Sequence, residues 1–166
     1  MPVYKSSGFS ENRTVKKRSP TESTRIIRRL LNTENLGVLA TREVRTPYQS
    51  LVAFAASADL KHIYFATENK TRKHANLVKS PHVSVLIDNR LNAAGNFKRG
   101  IAVTALGRAD PVKPRSLEKI RRLYLRKHPS LDKFIKSPTC RMFQIRVKIY
   151  FLVTDFQKVT KFRRSR

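Results

Sequence analysis

From Phe143 to Val153 every second residue is apolar: Phe143, Ile145, Val147, Ile149, Phe151 and Val153 alternate with mostly polar partners over eleven residues. A period of two places alternate side chains on opposite faces of an extended chain, so this segment is a β-strand with one covered face. A run of that length is one bent strand or two strands joined by a tight break. The chain around it has 166 residues, enough for one core but hardly two. Its apolar fraction of 40% supports a packed interior despite a formal net charge of +25, so a disordered polyelectrolyte is excluded except at the ends.

The other segments follow the same logic. Ser19-Pro20-Thr21-Glu22 reads as a helix start: a capping hydroxyl, a proline at the first helical position and an acid three residues after the cap. Ile26, Ile27, Leu30 and Leu31 continue at helical spacing, which predicts a helix over 20–32. Short apolar runs at 36–41 and 49–56, separated by a polar turn with Pro47, predict a hairpin. A third strand is expected over 62–67, a short helix within 70–79, a fourth strand over 82–87 and a fifth over 101–108. Pro81 ends the short helix, because the residue before proline avoids the helical region. Residues 88–99 read as a long loop. Pro114 to His128 is amphipathic, with Leu117, Ile120, Leu123 and Tyr124 inward and Arg115, Lys119, Arg122 and Arg126 outward. Six or so strands with hairpin turns and few helices indicate an antiparallel barrel or sandwich with helices at its ends. The expected division is a basic arm over 1–18, a domain over 19–159 and a basic tail over 160–166.

Several classes are excluded. Cys140 is the single cysteine, so neither an internal disulfide nor a cysteine-rich metal site is available. Neither GxGxxG nor GxxxxGK occurs, which argues against a dinucleotide-binding or nucleotide-hydrolysing α/β domain. The longest apolar stretch, Leu51 to Ala58, is far short of a membrane span, and residues 1–20 lack an apolar signal core. A cytoplasmic protein is expected. Eleven acids show no suggestive pairing, and His62, His74, His82 and His128 lack ligand-like spacing. Cys140 reads as a structural residue.

Lys and Arg number 36 against 11 Asp and Glu, and 18 of the 36 lie in residues 101–166. That excess first suggests a polyanion partner. A more specific arrangement lies at 63–77, where a strand ends and a helix begins within a few residues. A helix N-terminus offers free N–H groups and partial positive charge. Thr71, Arg72 and Lys73 would place a hydroxyl and two cations in its first turn, a sound site for a phosphate dianion. The other reading is a solvated basic face.

The order strand, hairpin, strand, Phe65-Ala66-Thr67, a gap containing Thr71, Arg72-Lys73, helix and Ser80-Pro81-His82-Val83-Ser84-Val85 resembles the FMN-binding split-barrel family. The best-known member of that family is pyridoxamine 5′-phosphate oxidase. The resemblance covers residues 22–110 well and 114–159 more loosely. It implies a mainly β fold, a six-stranded antiparallel split barrel of Greek-key type with a few flanking helices. It also implies a homodimer with FMN at the interface. Arg72 and Lys73 would then hold the phosphate, together with Thr71. Ala66 and Thr67 match the strand end that touches the cofactor. Leu51 and Val52 match the strand facing the flavin ring and, being apolar, would act through their backbone. Asn89, Arg90 and Lys98 would reach the cofactor from the second subunit.

Departures from the vitamin B6 oxidase matter equally. Leu51 and Ala56 stand where that enzyme has an Arg and a substrate-binding Lys, and Ala102 stands where it has a Gln. Its C-terminal Arg-x-His type motif has no counterpart in Lys161-Phe162-Arg163-Arg164. The expected function is therefore an FMN-dependent oxidoreductase acting on a small molecule other than pyridoxamine phosphate. A deazaflavin or haem is the alternative cofactor, with His74 the natural axial ligand for haem. The alternative from another class is a non-catalytic module on the same barrel that binds haem or, weakly and through phosphates, nucleic acid.

Overall fold

The structure, a computed structural model, describes residues 19–43, 45–89, 100–154 and 158–163. Its first helix, α1 (Pro20–Thr33), starts as the sequence dictates, with the Ser19 hydroxyl accepting from the Glu22 N–H at 3.1 Å. Strands β1 (Leu36–Glu43) and β2 (Thr46–Ala56) form the hairpin, and β3 (His62–Glu68) follows. Helix α2 (Arg72–Lys79) leads into β4 (His82–Asp88), and β5 (Ala102–Pro111) comes next. Helix α3 (Pro114–Lys127), a 3-10 turn at Pro129–Leu131 and the short α4 (Asp132–Lys136) precede β6 (Cys140–Thr154) and β7 (Lys158–Arg163).

All strand pairs are antiparallel. The order β3-β2-β1-β4-β5-β6 closes on itself through the β3–β6 pairing, giving a six-stranded barrel. The interior is filled by Leu39, Phe54, Ile63, Phe65, Val85, Ile87, Val103, Ile145 and Leu152, and α1 contributes Ile27, Leu30 and Leu31 to the same core. A second apolar cluster lies between α3, α4 and strands β2, β3 and β6, with Ala55, Tyr64, Ile120, Tyr124, Ile135 and Met142.

The long alternating segment is one strand with a bulge. Leu106 pairs with Ile149 and Gly107 with Val147, so Lys148 has no opposite number in β5. One extra residue inverts which face looks inward. Phe143 and Ile145 are buried before the bulge, whereas Tyr150, Leu152 and Thr154 are buried after it and Phe151 and Val153 are half-exposed. Glycine at 107 permits the crowding, because a Cβ there would stand 2.4 Å from the Arg146 carbonyl oxygen. The bulge also divides the labour of β6. Cys140 to Arg146 pairs with β3 and closes the barrel, while Ile149 to Thr154 pairs with β7 outside it. The expected domain boundary at residue 159 therefore falls inside β7. The expected arm over 1–18 lies outside the described residues.

Candidate functional site

Strands β2 and β3 pair only over Phe54↔Phe65, Ala55↔Tyr64 and Ala56↔Ile63. Continuing that register would join Ala53 to Ala66, Val52 to Thr67 and Leu51 to Glu68, but the two strands splay apart there. β2 stays bound to β1 on its other edge, through Leu51↔Val38 and Val52↔Gly37, and β3 stays bound to β6 as far as Glu68↔Cys140. The splay leaves a cleft of about 290 Å³ lined by Leu51, Val52, Ala53, Ala66, Thr67, Glu68, Thr71 and Lys73. Its fourth wall comes from α3 and the segment after it, with Tyr124, Leu131 and Phe134. Two strand edges released from each other turn backbone donors and acceptors towards whatever fills the gap.

The turn from β3 into α2 is held by threonines. The Thr71 hydroxyl donates to the Glu68 carbonyl at 2.9 Å and accepts from the His74 N–H at 3.3 Å, the geometry of an N-cap. The Thr67 hydroxyl lies 2.8 Å from that of Thr71. Because the Thr71 proton is already given to Glu68, Thr67 is the donor in this contact. Both hydroxyl protons thus serve the turn, and what α2 presents to a ligand is its first N–H groups, those of Arg72 and Lys73, which have no acceptor within the helix.

The two cations diverge. Lys73 lines the cleft and has no ion-pair partner among the described residues. Arg72 leans instead over the β1–β2 hairpin, its guanidinium carbon 5.3 Å from the Tyr48 ring centroid and Nη1 3.7 Å from Glu43 Oε2. The side chains of Leu51 and Val52 also diverge. Val52 is buried in the barrel, and Leu51 is 62% exposed on the outer face. Asn89 directly follows β4, its Oδ1 accepting from the Ile101 N–H at 2.7 Å. Arg90 and Lys98 lie outside the described residues.

Tyr124, Leu131 and Phe134 were not expected in the cleft. Tyr124 reads from the sequence as an ordinary inward residue of an amphipathic helix, and nothing in the spacing of Leu131 and Phe134 marks them. Burial first, and the neighbouring Cys140 second, push the Tyr124 phenol well above its usual range. It stays protonated and donates to the Ala53 carbonyl at 3.2 Å, fixing α3 to the splayed part of β2. Burial likewise raises the Cys140 thiol, which agrees with a structural role. No histidine lines the cleft among the described residues. His74 meets the Phe143 ring edge-on at 5.7 Å, and buried His128 holds the Phe54 carbonyl at 2.8 Å. No group of three or more metal-ligating side chains occurs among the described residues.

A second depression, of about 460 Å³, adjoins the cleft through Leu51 and is lined by Thr33, Glu34, Leu36, Gly37, Val38, Leu86 and Asp88 among others. It lies on an outer sheet face where register aligns Leu51, Val38, Leu86 and Thr104 across β2, β1, β4 and β5. Leu36 is 51% and Leu106 37% exposed on neighbouring rungs.

Comparison with known proteins gives a consistent picture. The family model described as pyridoxamine 5′-phosphate oxidase matches residues 23–150. No curated protein sequence matches the chain. Among solved structures, a heme binding protein from Mycobacterium smegmatis aligns with a TM-score of 0.77 at 18% identity, over 89% of this chain and 59% of that one. A putative pyridoxamine 5′-phosphate oxidase from Listeria innocua aligns at 0.63 and 17%, over 79% of this chain and 98% of that one. A FAD-binding protein from Mesorhizobium loti aligns at 0.60 and 18%, over 75% and 88%. At these identities the likeness establishes the fold.

Proposed function

Since this chain belongs to the pyridoxamine 5′-phosphate oxidase family of split barrels, we propose that it is an FMN-binding oxidoreductase acting as a homodimer on a small molecule other than pyridoxamine phosphate. The observation that carries the reading is the splay of β2 from β3. It sets two unpaired strand edges, a cation and an apolar wall around one cleft, as a planar heterocycle with a phosphate tail requires. The fit runs from end to end. Lys73 and the N–H groups at the start of α2 suit the phosphate. The backbone of Leu51, Val52 and Ala66 suits the polar edge of the ring, and Tyr124, Leu131 and Phe134 suit its apolar part.

When bound, the flavin supplies hydride or electron transfer, and the protein supplies binding, orientation and electrostatics. The side chains of the cleft have those tasks. Lys73 neutralises charge at the tail, and the Tyr124 hydroxyl, committed to Ala53, holds the wall at a fixed distance from β2. Leu51, facing outward between the cleft and the adjoining depression, leaves the ring open on the side where a second subunit would pack.

One structural neighbour is a heme binding protein, and haem is the competing cofactor. The described histidines favour flavin, since His128 is committed to Phe54 and none lines the cleft. An absorption spectrum of the purified protein, taken before and after denaturation, separates the readings. A two-banded flavin spectrum with FMN released on unfolding is expected. A Soret band, or a colourless protein that takes up no added FMN, would sink the proposal.

A further inference from the structure

We propose that the outward face of α3 is a docking surface for the sugar–phosphate backbone of nucleic acid, independent of the cleft on the helix's other side. Arg115, Lys119, Arg122 and Arg126 are all exposed and recur at steps of four, three and four residues. That spacing puts them in one stripe about 16 Å long. None has an ion-pair partner among the described residues. The acid beside them, Glu118, is taken by Arg121 at 2.9 Å. Lys119, Arg122 and Arg126 also line, with Leu123 and Leu125, a shallow depression of about 580 Å³.

Arg126 suits the last turn of the helix, but the rest of the stripe is unfavourable for it. Cations four apart repel each other, and the first turn holds Arg115 with no acid to match the helix dipole. The N-cap residue, Lys113, makes no side-chain capping bond. A row of phosphates would offset the repulsion along the stripe and the unmatched charge of the first turn. The remaining chemistry narrows the partner. Ile120 and Tyr124 are buried in the second core cluster, Leu117, Leu123 and Leu125 pack half-buried against it, and α3 carries no exposed large apolar side chain. The apolar surface beside the stripe is the half-buried flank of Leu123 and Leu125, and α3 exposes no large apolar or aromatic side chain of the kind a bilayer or a protein interface takes as an anchor. It exposes no aromatic ring for stacking on bases, so recognition rests on phosphates and ignores sequence.

The test is fluorescence anisotropy of the full chain with a labelled DNA duplex of about 20 base pairs across a salt series. Two triple variants are compared: Lys119→Gln/Arg122→Gln/Arg126→Gln on α3, and Arg25→Gln/Arg28→Gln/Arg29→Gln on α1, whose three arginines are also exposed. Both remove the same charge, and thermal melting checks that both fold. The α3 variant is expected to flatten the log–log salt slope by about 3 and to weaken binding roughly 100-fold near 0.1 M salt. The α1 variant should change affinity by less than about 3-fold, the effect of net charge alone. Equal losses in the two variants, or no duplex binding by the wild type at low salt, would overturn the assignment. So would phosphatidylserine vesicles binding as tightly as the duplex through the same three residues, which would give the surface to a membrane.

Discussion

Lys127, the last residue of α3, is a cation held largely out of water. Its Nζ donates to the Leu31 carbonyl at 2.7 Å and to the Glu34 carbonyl, and it lies 4.0 Å from the Phe54 ring centroid. Helix α1 has no basic residue in its own last turn, so Lys127 satisfies that end from 93 to 96 residues away. Burial lowers its pKa to about 8, with Glu34 opposing the shift. Between pH 8 and the ordinary lysine value of 10.5 the folded chain has released this proton and the unfolded chain still holds it. The unfolded state binds more protons, so this group's contribution to stability rises with pH across that window. In urea unfolding, Lys127→Met should therefore lose ground against the wild type between pH 7.5 and 10. The expected change is on the order of 1–2 kcal/mol once solvent screening is allowed for. A difference that stays constant with pH would contradict the account. Such a residue is invisible in the sequence, because its partners are fixed by tertiary packing alone. The start of α2 was legible in part. A helix start beside Thr71 with Lys73 in its first turn follows from local chemistry, whereas the use of the Thr71 hydroxyl as the N-cap was not read, and the turning of Arg72 towards Glu43 and Tyr48 depends on a hairpin some 30 residues earlier.

Elements were easier to read than their phases. Each expected helix and strand is present, because hydrophobic period, caps and prolines are local signals. The inversion of β6 at Lys148 was not legible, since Ile149 and Phe151 keep the sequence alternation while the bulge changes the face it serves. β7 was missed because Lys161 and Arg163 read as a tail, and its pairing with β6 gives those residues a strand. The outer face of β2, β1, β4 and β5 is the element with most bearing on assembly. Its exposed Leu36, Leu51 and Leu106 are apolar where a solvated sheet face would be polar. Fully burying one leucine contributes about 1.5–3 kcal/mol. If this face carries the proposed homodimer, Leu51→Lys weakens that dimer by roughly 10-fold or more in sedimentation experiments. A wild type that sediments as a monomer at high concentration would exclude the interface.

At the scale of the whole molecule, the barrel and its cleft are one feature. A closed six-stranded barrel has no edge to offer a ligand, so the splay of β2 from β3 is what creates the cleft. The sequence pointed to the two ends of that cleft, Leu51-Val52 and Ala66 to Lys73, through the likeness of their order to a known family. It did not show the wall from Tyr124, Leu131 and Phe134, which only the packing of α3 and α4 brings there. The +25 charge also resolves by place. Among the described residues, Lys73 is the cation that lines the cleft, and the stripe of α3, without ion-pair partners there, lies on the outward face of its helix. The central claim is that the cleft holds FMN by its phosphate at Lys73. It is tested most directly by titrating the wild type and Lys73→Ala with FMN and with riboflavin, which lacks the phosphate. The account predicts that FMN outbinds riboflavin by about 100-fold in the wild type, and that Lys73→Ala weakens FMN binding by about 10- to 100-fold while leaving riboflavin unchanged. Equal affinity for the two ligands, or FMN binding untouched by Lys73→Ala, would contradict it.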